Sequence, residues 1–567
     1  MSNVYAILRA FLPLRNPVGF TLADTLELGL ALFCLGAILG QGRLRIALHG
    51  LSQRPRVCMC FLAALPILLR LALLRHNPVP VPQTSDDFSF LLLGDTLAHF
   101  RLANPTHPMH RFFESIFVLQ EPSYSSIYPL GQGIVLGLGQ LLAGVPWAGV
   151  AASVGLFCSA CFWMLKGWVR PQLALLGALM AVMLFGPLNQ WMNNYWGGAV
   201  SGIAGCLVFG AVPRVWRTGR ARDVAVLGAG LGLQALSRPF EAVLLAVCLL
   251  PAILFVPRAS RMRLLATALL ALSPAMGLTL LHNKAVTGEW ATLPYMLSRH
   301  QYGVPATFTF QPMPQPHRAL TEEQQMDYQA QKQVHDGLPN NPADYFARLG
   351  TRFKFLRFFV FAPMYLALPF CLPFMKRPKA VWLAGCLAVF ALGTNFYPYF
   401  YPHYVAAVSC LVLLATMVGL DRLAARNGAA ARLLVLLCVA QFGFWYGIRL
   451  FGNDDIFIAS APYESWNYVN FGDSEGRSAV ARKLEAAGGR NLVFVRYSQR
   501  HQLREWIQNA ADIDHAPTVW ALDLGDTEDR QLVAYYPGRK VWLLEPDSVP
   551  PRLTPLAAPV VEAGSSR

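Results

Sequence analysis

The composition of this 567-residue chain is that of a protein embedded in a lipid bilayer. It is 54% hydrophobic and only 14% charged, whereas a soluble protein carries roughly a quarter charged residues. Its formal net charge of +15 comes from short Arg and Lys clusters between apolar runs, which is typical of cytoplasmic loops and not of a nucleic-acid-binding surface. We therefore expect a multi-pass membrane protein with no nucleic-acid partner.

Apolar runs of membrane-crossing length recur along the chain. A helical run of about 17–22 apolar residues covers the roughly 30 Å of hydrocarbon in a bilayer. These runs predict a mainly α fold, a polytopic helix bundle of about 12 spans. The predicted spans cover residues 20–40, 57–75, 148–166, 171–187, 196–214, 222–236, 239–256, 262–281, 353–373, 379–397, 400–420 and 431–450.

The basic clusters orient these spans. They occur at 43–56, 166–170, 214–222, 258–263, 376–379 and 422–432, and they all fall on the cytoplasmic side only if the Gly-rich segment 127–144 does not cross the membrane. That segment is therefore predicted to be an amphipathic helix at the outer interface. The regions that then face outward are 76–147, the turn at 189–196, 282–352 and 451–567.

The tail changes character after the last predicted span. Residues 491–497, 518–525 and 540–547 have the pattern of buried strands, and 478–488 and 502–514 have helical spacing. Alternation of strands and helices predicts a small α/β domain. We expect two domains, residues 1–450 in the membrane and an extracytoplasmic domain at 451–567, whose default role is structural support or acceptor recognition.

Two adjacent carboxylates, Asp86 and Asp87 in QTSDDFSF, follow the second predicted span. They could be ordinary solvated loop charges or acid/base groups of an enzyme. Arg238 and Glu241 follow a span of only about 15 residues, or about 22 Å of helix, so they are predicted to lie below the outer surface. Charges at such depth are costly and are functional candidates by default.

Further candidates on the predicted outer side are polar, cationic or aromatic. An enzyme acting on a sugar uses carboxylates for proton transfer, amides for hydroxyl groups and aromatic faces for the ring, and a phosphate leaving group favours Arg, Lys or His. Aromatic residues at a membrane interface are, however, most often belt residues. The additional candidates are Tyr128, Asn194, Tyr195, Trp196, Lys284, Tyr295, Arg299, Tyr302 and His403.

Three short motifs resemble those of the GT-C superfamily of integral-membrane glycosyltransferases. SDDFSF (85–90) looks like its D-[DE]-x-x-[YF] motif, and SIYPLGQ (126–132) is similar to its tyrosine-proline element. GLGLQALSRPFEAVLL (230–245) resembles its G-L-x-x-L-[ST]-[RK] helix pair. The chain also resembles uncharacterised bacterial members of this group that share NNYWGGA and LPYMLSRHQYG.

The resemblance implies a polyprenyl-phosphate-sugar donor, an acceptor that is a lipid, a glycan or a protein, and transfer with inversion at the periplasmic face of a bacterial inner membrane. It makes Asp86 the general base and Asp87 its supporting partner. Some members of the superfamily use a divalent cation such as Mg²⁺ or Mn²⁺, but no compact carboxylate cluster in this sequence demands a metal.

The remaining candidates take two roles under the same resemblance. Cationic side chains would bind the donor phosphate, and polar or aromatic ones would bind substrate. The phosphate-binding candidates are Arg238, Lys284, Arg299 and His403, and the substrate-binding candidates are Tyr128, Asn194, Tyr195, Trp196, Glu241, Tyr295 and Tyr302.

Other functions remain open at this point. A transporter or flippase for a lipid-linked saccharide would have charges near the bilayer midplane in repeated halves, and no repeat is evident. A polymerase or ligase of O-antigen type would place Arg and His in a large late external loop, which the 282–352 region allows. A non-enzymatic membrane scaffold is the third alternative.

Overall fold

The protein is predominantly helical. The computed structural model describes residues 29–30, 32–34, 36, 48–338, 341–451, 473, 476–499, 501 and 504–556, so the predicted span 20–40 lies mostly outside the described residues. The described chain divides into two compact units. One comprises Met1–Pro80, Trp147–Gly277 and Asn340–Asn470, and the other comprises Val81–Pro146, Leu278–Pro339 and Phe471–Arg567.

Most of the predicted spans correspond to α-helices, which lie mainly in the first unit. Proline stands at the first turn of several of them, where its missing N–H has no intrahelical partner to lose. The helices are Pro55–Ala72, Pro146–Leu165, Pro171–Phe185, Gln190–Asn193, Ala199–Thr218, Ala221–Ser237, Pro239–Ala252, Arg258–Thr287, Pro342–Arg352, Pro378–Thr394, Ala406–Arg426 and Gly428–Phe451. Short 3₁₀ helices occur at Ile253–Phe255 and Pro402–Val405.

Six helical stretches in the described part are long and apolar enough to cross a membrane. They are Pro55–Ala72, Pro146–Leu165, Ala199–Thr218, Ser260–Thr287, Pro402–Arg426 and Gly428–Phe451. Shorter apolar helices of 10–17 residues include Pro171–Phe185, Pro239–Phe255 and Pro378–Thr394. The prediction of a mainly helical multi-pass membrane protein is confirmed.

The predicted span 353–373 differs from expectation. It forms three 3₁₀ helices, Phe353–Phe358, Ala362–Leu366 and Leu368–Lys376, in place of one α-helix. Pro363, Pro369 and Pro373 lie in this segment. A proline removes one helical hydrogen bond and clashes with the preceding turn, so three prolines within eleven residues break the helix that hydropathy alone predicts.

The second unit contains helices around two small sheets. Its helices are Ser85–Ala98, Leu130–Ala143, Pro294–Tyr302, Glu322–Asp336, Arg477–Ala487 and Asp526–Tyr535, with a 3₁₀ turn at His110–Phe113. One sheet is a short antiparallel pair, Val118–Leu119 with Ser125–Ser126. The other has four strands in the order Thr518–Leu522, Asn491–Val495, Lys540–Glu545, Arg552–Pro555, the first two pairings parallel and the last antiparallel.

The predicted α/β tail is confirmed as a small sheet domain, with two corrections. All three predicted strands and the first predicted helix form. The described part of 502–514 is irregular, whereas a helix at Asp526–Tyr535 and the edge strand Arg552–Pro555 were not predicted. Burial of Trp506 and Ile507 among residues of the sheet produces the apolar spacing that was interpreted as helical. The boundary after residue 450 stays a prediction.

The segment 127–144 forms the helix Leu130–Ala143, whose glycines have a packing role, and its interfacial location stays a prediction. A Cβ on Gly137 would lie 2.9 Å from the carbonyl oxygen of Gly94 on the Ser85–Ala98 helix. Only a residue without a side chain allows the two backbones to approach this closely. The other side of the helix exposes Leu138, Leu141 and Leu142.

A second close approach, within the first unit, gives a stability test. A Cβ on Gly205 would lie 1.7 Å from the carbonyl oxygen of Ala407, whereas one on Gly277 would meet nothing within 4 Å. We expect Gly205→Ala to lower the free energy of unfolding by about 2 kcal/mol or more, because a backbone must shift. Thermal unfolding in detergent measures this, with Gly277→Ala as the matched control; equal melting temperatures for the two variants would contradict the packing.

Candidate active site

Asp87 stabilises the N-terminus of the helix that carries the acidic pair. Thr84 caps the Ser85–Ala98 helix, and its hydroxyl accepts a hydrogen bond from the Asp87 amide at 3.3 Å. The Asp87 carboxylate in turn accepts from the amides of Thr84 at 3.2 Å and Gln83 at 3.1 Å. This is a capping box, which satisfies N–H groups that the first helical turn would leave without partners. Asp87 is buried by it.

Asp86 has a different environment from its neighbour. It is partly exposed, and the hydroxyl of Tyr128 donates a hydrogen bond to its Oδ1. The ring of Tyr128 stacks on Phe90, with the ring centroids 4.1 Å apart. The two sequence motifs SDDFSF and YPLGQ therefore meet, because the helices that they begin pack together. The first helical turn also stabilises a negative charge at Asp86 through the helix dipole.

A third carboxyl group, Asp327, belongs to the same region and was missed from the sequence. It lies on the Glu322–Asp336 helix, is only 8% exposed, and accepts a hydrogen bond from Gln331 Nε2 at 2.8 Å. Burial raises the pKa of Asp327 to about 7, with the charges of Asp86 and Glu323 adding to the rise. The i, i+4 spacing of Glu323 and Asp327, which places both on one helix face, was the available signal.

The first unit brings four of the predicted residues together with Tyr404, which was not predicted. This group, here called the Arg238 cluster, comprises Trp196, Arg238, Glu241, His403 and Tyr404. Arg238 donates to Glu241 at 3.3 Å, and its guanidinium carbon lies 4.7 Å from the centroid of the Tyr404 ring. His403 packs edge-on against both Tyr404 and Trp196, at centroid distances of 4.8 and 5.8 Å. Four of the sequence candidates are thus brought together by turns far apart in the chain.

Burial distinguishes the partners in this cluster. Glu241 is 2% exposed, while the Arg238 side chain keeps 23% exposure. A buried carboxylate requires a paired cation, because its desolvation otherwise costs several kcal/mol. Glu241 therefore fixes the position of Arg238, whose side chain stays partly exposed.

The turn 190–196 supplies unused hydrogen-bond donors. Asn194 Nδ2 and Trp196 Nε1 are buried and have no hydrogen-bond partner among the described residues. A buried donor without a partner costs about 1–3 kcal/mol, so each of these two groups would be stabilised by an acceptor. Tyr195 is used structurally instead, since its hydroxyl donates to the carbonyl of Pro80 at 2.7 Å.

Arg70 holds this turn in place and was not predicted. It is 1% exposed inside the Pro55–Ala72 helix. Its guanidinium donates to Asn193 Oδ1 and to the carbonyls of Asn77 and Pro78, each at 2.8 Å. The available signal was the position of Arg70 well inside the predicted span 57–75, because charged residues inside spans are rare and mark functional or structural networks.

The remaining predicted site residues, Lys284, Tyr295, Arg299 and Tyr302, have partners within the protein. Lys284 is exposed and donates to the carbonyl of Gly288 at 2.5 Å. Arg299 lies over the Tyr295 ring and donates to the carbonyls of Pro305 and Ala306 at 2.9 and 3.2 Å. The hydroxyl of Tyr302 donates to Glu114 at 3.0 Å. The structure gives these side chains partners within the protein, and their substrate roles stay predictions.

The resemblance allows a divalent cation, which would need a group of ligating side chains. Among the described residues, no three or more His, Cys, Asp or Glu side chains are grouped so as to hold a metal ion. Asp87 is engaged with backbone amides, and Asp327 is engaged with Gln331. The described carboxyl groups around Asp86 therefore do not form a metal-ligand set.

The chain was compared with known proteins. No family model and no curated protein matches it. The oligosaccharyltransferase of Archaeoglobus fulgidus, crystallised with Zn and sulfate, is similar to it at 10% identity and a TM-score of 0.44, over 76% of this chain and 60% of that one. ArnT from Cupriavidus metallidurans, bound to undecaprenyl phosphate, is similar at 11% identity and a TM-score of 0.46, over 84% of this chain and 92% of that one. The chain therefore spans about 60% of the length of the archaeal enzyme.

The raised pKa of Asp327 predicts a pH-dependent stability. The unfolded chain loses this proton at about 3.8 and the folded protein at about 7, so between these values the free energy of unfolding falls by up to about 1.4 kcal/mol per pH unit. Asp327→Asn removes this loss. We expect its melting temperature to exceed that of the wild type by an amount that grows from pH 5 to about pH 8 and is constant above.

Glu322→Gln, on the same helix but exposed, is the control for that measurement. Its melting temperature should follow the wild type across the same pH range in detergent. A constant difference between Asp327→Asn and the wild type at every pH would contradict a raised pKa at Asp327.

Proposed function

We propose that this protein is an inverting glycosyltransferase of GT-C type. It moves a sugar from a polyprenyl-phosphate donor to a hydroxyl group of an envelope acceptor at the outer face of a bacterial inner membrane. The single observation that carries the proposal is the pairing of Asp86 with Tyr128. It joins a partly exposed carboxylate at a helix N-terminus to the tyrosine of the second motif.

In this mechanism Asp86 is the general base. Its carboxylate removes the proton of the acceptor hydroxyl as that oxygen attacks the anomeric carbon of the donor sugar. The new C–O bond forms on the side opposite the phosphate, the bond from the anomeric carbon to the phosphate oxygen breaks, and polyprenyl phosphate leaves with the electron pair. Tyr128 orients the carboxylate, and general-base catalysis of this kind contributes typically 10²–10⁴-fold.

The Arg238 cluster is the proposed site for the leaving phosphate. A departing phosphate is stabilised by fixed N–H donors and by positive charge. Arg238 is held by Glu241 at 3.3 Å, which leaves further guanidinium N–H groups for a ligand. Asn194 Nδ2 and Trp196 Nε1 are buried donors that need an acceptor. His403 completes the set, whereas Lys284 and Arg299 are held by carbonyls of their own loop.

The acidic pair gives the first test. Asp86→Asn keeps the shape of the side chain but removes the base, so we expect loss of transfer of at least 10²-fold with unchanged abundance in the membrane. Asp87→Asn keeps an acceptor for the capping amides, so we expect a stability loss of about 1 kcal/mol and substantial remaining transfer. Mass spectrometry of envelope glycans and polyprenyl-phosphate sugars, in a deletion strain complemented with each variant, measures both. A wild-type glycan profile from Asp86→Asn rejects the assignment.

Binding of undecaprenyl phosphate tests the Arg238 cluster separately. The double variant Arg238→Gln/Glu241→Gln removes both charges together, so that no unpaired carboxylate stays buried. We expect its affinity for undecaprenyl phosphate in nanodiscs to fall at least tenfold, read by native mass spectrometry. Arg222→Gln, whose side chain is 73% exposed, is the control. Equal affinities for the double variant and the control would show that the donor phosphate does not bind at the Arg238 cluster.

A further inference from the structure

The second unit contains a cavity of about 280 Å³ that none of the roles above uses. Its walls come from the Ser85–Ala98 helix, the segment 115–118, the end of the Leu130–Ala143 helix and the segment 505–510 of the C-terminal domain. The volume is near the lower end of the range for small-ligand pockets, about 300–1,000 Å³. It therefore suits one compact group and not a lipid chain or a folded partner.

The lining combines an apolar wall with free polar side chains. Phe88, Leu91, Leu92 and Val118 form the apolar part. Three lining residues, Ser115, Gln140 and Gln508, have side chains with no hydrogen bond inside the part of the chain that the structure describes. Amide and hydroxyl groups that can both donate and accept, opposite an apolar surface, match a sugar ring, which has hydroxyl edges and apolar faces.

The walls of the cavity are fixed by hydrogen bonds between distant segments. Asp95 accepts from the amide of Ala511 at 2.7 Å, and the Tyr124 hydroxyl donates to the carbonyl of Asn509 at 3.1 Å. Glu505 accepts from the amides of Ile116 at 3.0 Å and Ile507 at 2.8 Å. The segment 505–511 is thereby bound to the first external region, and the cavity is preformed, which lowers the entropy cost of binding a ligand.

The position of the cavity relative to Asp86 decides what it can hold. Both belong to the Ser85–Ala98 helix, but Phe88 and Asp95 follow Asp86 by two and nine residues, which places them close to the opposite face at 100° per residue. The diameter of a helix with its side chains is about 10–12 Å. A group in the cavity is therefore not the one whose hydroxyl meets Asp86.

We propose that this cavity is an acceptor subsite that binds a sugar residue of an oligosaccharide, other than the residue that receives the transferred sugar. The proposal rests on the transferase function and narrows its acceptor to a glycan of at least two residues. It also gives the C-terminal domain a role, because residues 505–510 of that domain form one wall. Gln140 and Gln508 bind hydroxyl groups of the ring, and Phe88 and Leu92 contact its apolar face.

The test uses the full-length protein in nanodiscs and the oligosaccharide fraction released from the envelope of the deletion strain, which contains the unmodified acceptor. Bound oligosaccharides are retained with the protein and identified by mass spectrometry. We expect the wild type and Asp86→Asn to retain the same oligosaccharide of two or more residues. Ala510→Trp, which fills the cavity, should retain at least tenfold less, and Gln508→Ala should also retain less. Ala486→Trp, at an exposed position away from the cavity, is the control for folding.

The outcomes separate the subsite from the transferase. Retention by Ala510→Trp equal to that of Ala486→Trp, or no retained oligosaccharide in the wild type, overturns the subsite. If Asp86→Asn abolishes transfer in the deletion strain while Ala510→Trp retains oligosaccharide normally, the transferase stands and the subsite fails. If Ala510→Trp loses retention while Asp86→Asn gives the wild-type glycan profile, the binding site stands and the catalytic assignment fails.

Discussion

The close packing of the Ser85–Ala98 helix against the Leu130–Ala143 helix determines the chemistry of the second unit. The approach of Gly137 to the carbonyl of Gly94 allows the two backbones to touch. Because the helices are fixed side by side, Tyr128 reaches Asp86 at the start of the first helix. The opposite face of that helix is left to form one wall of the cavity. A larger residue at the contact would separate Asp86 from Tyr128 and change the cavity as well.

Buried charge is the second constraint. The cost of placing an ionised group in a low-dielectric interior is met here by three different arrangements. Glu241 pairs with Arg238, Arg70 donates to an amide and two carbonyls, and Asp327 responds to burial with a raised pKa. Only the first arrangement leaves part of a charge accessible to a ligand. This difference separates a candidate binding group from charges that hold the fold.

Sequence reasoning found both motifs of the acidic site, but it did not assign different roles to the two carboxylates. Asp86 and Asp87 are adjacent and chemically identical, and the capping box at Thr84 assigns Asp87 to the helix start. A capping box requires a side chain three residues after the cap, so the sequence Thr84-Ser85-Asp86-Asp87 already contained the signal. The proximity of Asp327 to Asp86 could not be predicted, because it depends on how regions more than two hundred residues apart come together in the fold.

The sequence by itself determined the membrane class, most of the helices, the three parallel strands and the residue types available for sugar and phosphate chemistry. These follow from hydropathy and periodicity, which are local properties of the chain. Tertiary structure alone decided that Arg238, Glu241, His403 and Trp196 form one cluster, that Lys284 and Arg299 bind their own loops, and that residues 505–510 help to enclose a cavity. It did so because hydrogen bonds and packing between distant segments depend on where the chain returns in space. Residues 353–373 are a different case. There the prolines prevent the predicted membrane-spanning α-helix, and this is a local effect that hydropathy does not measure.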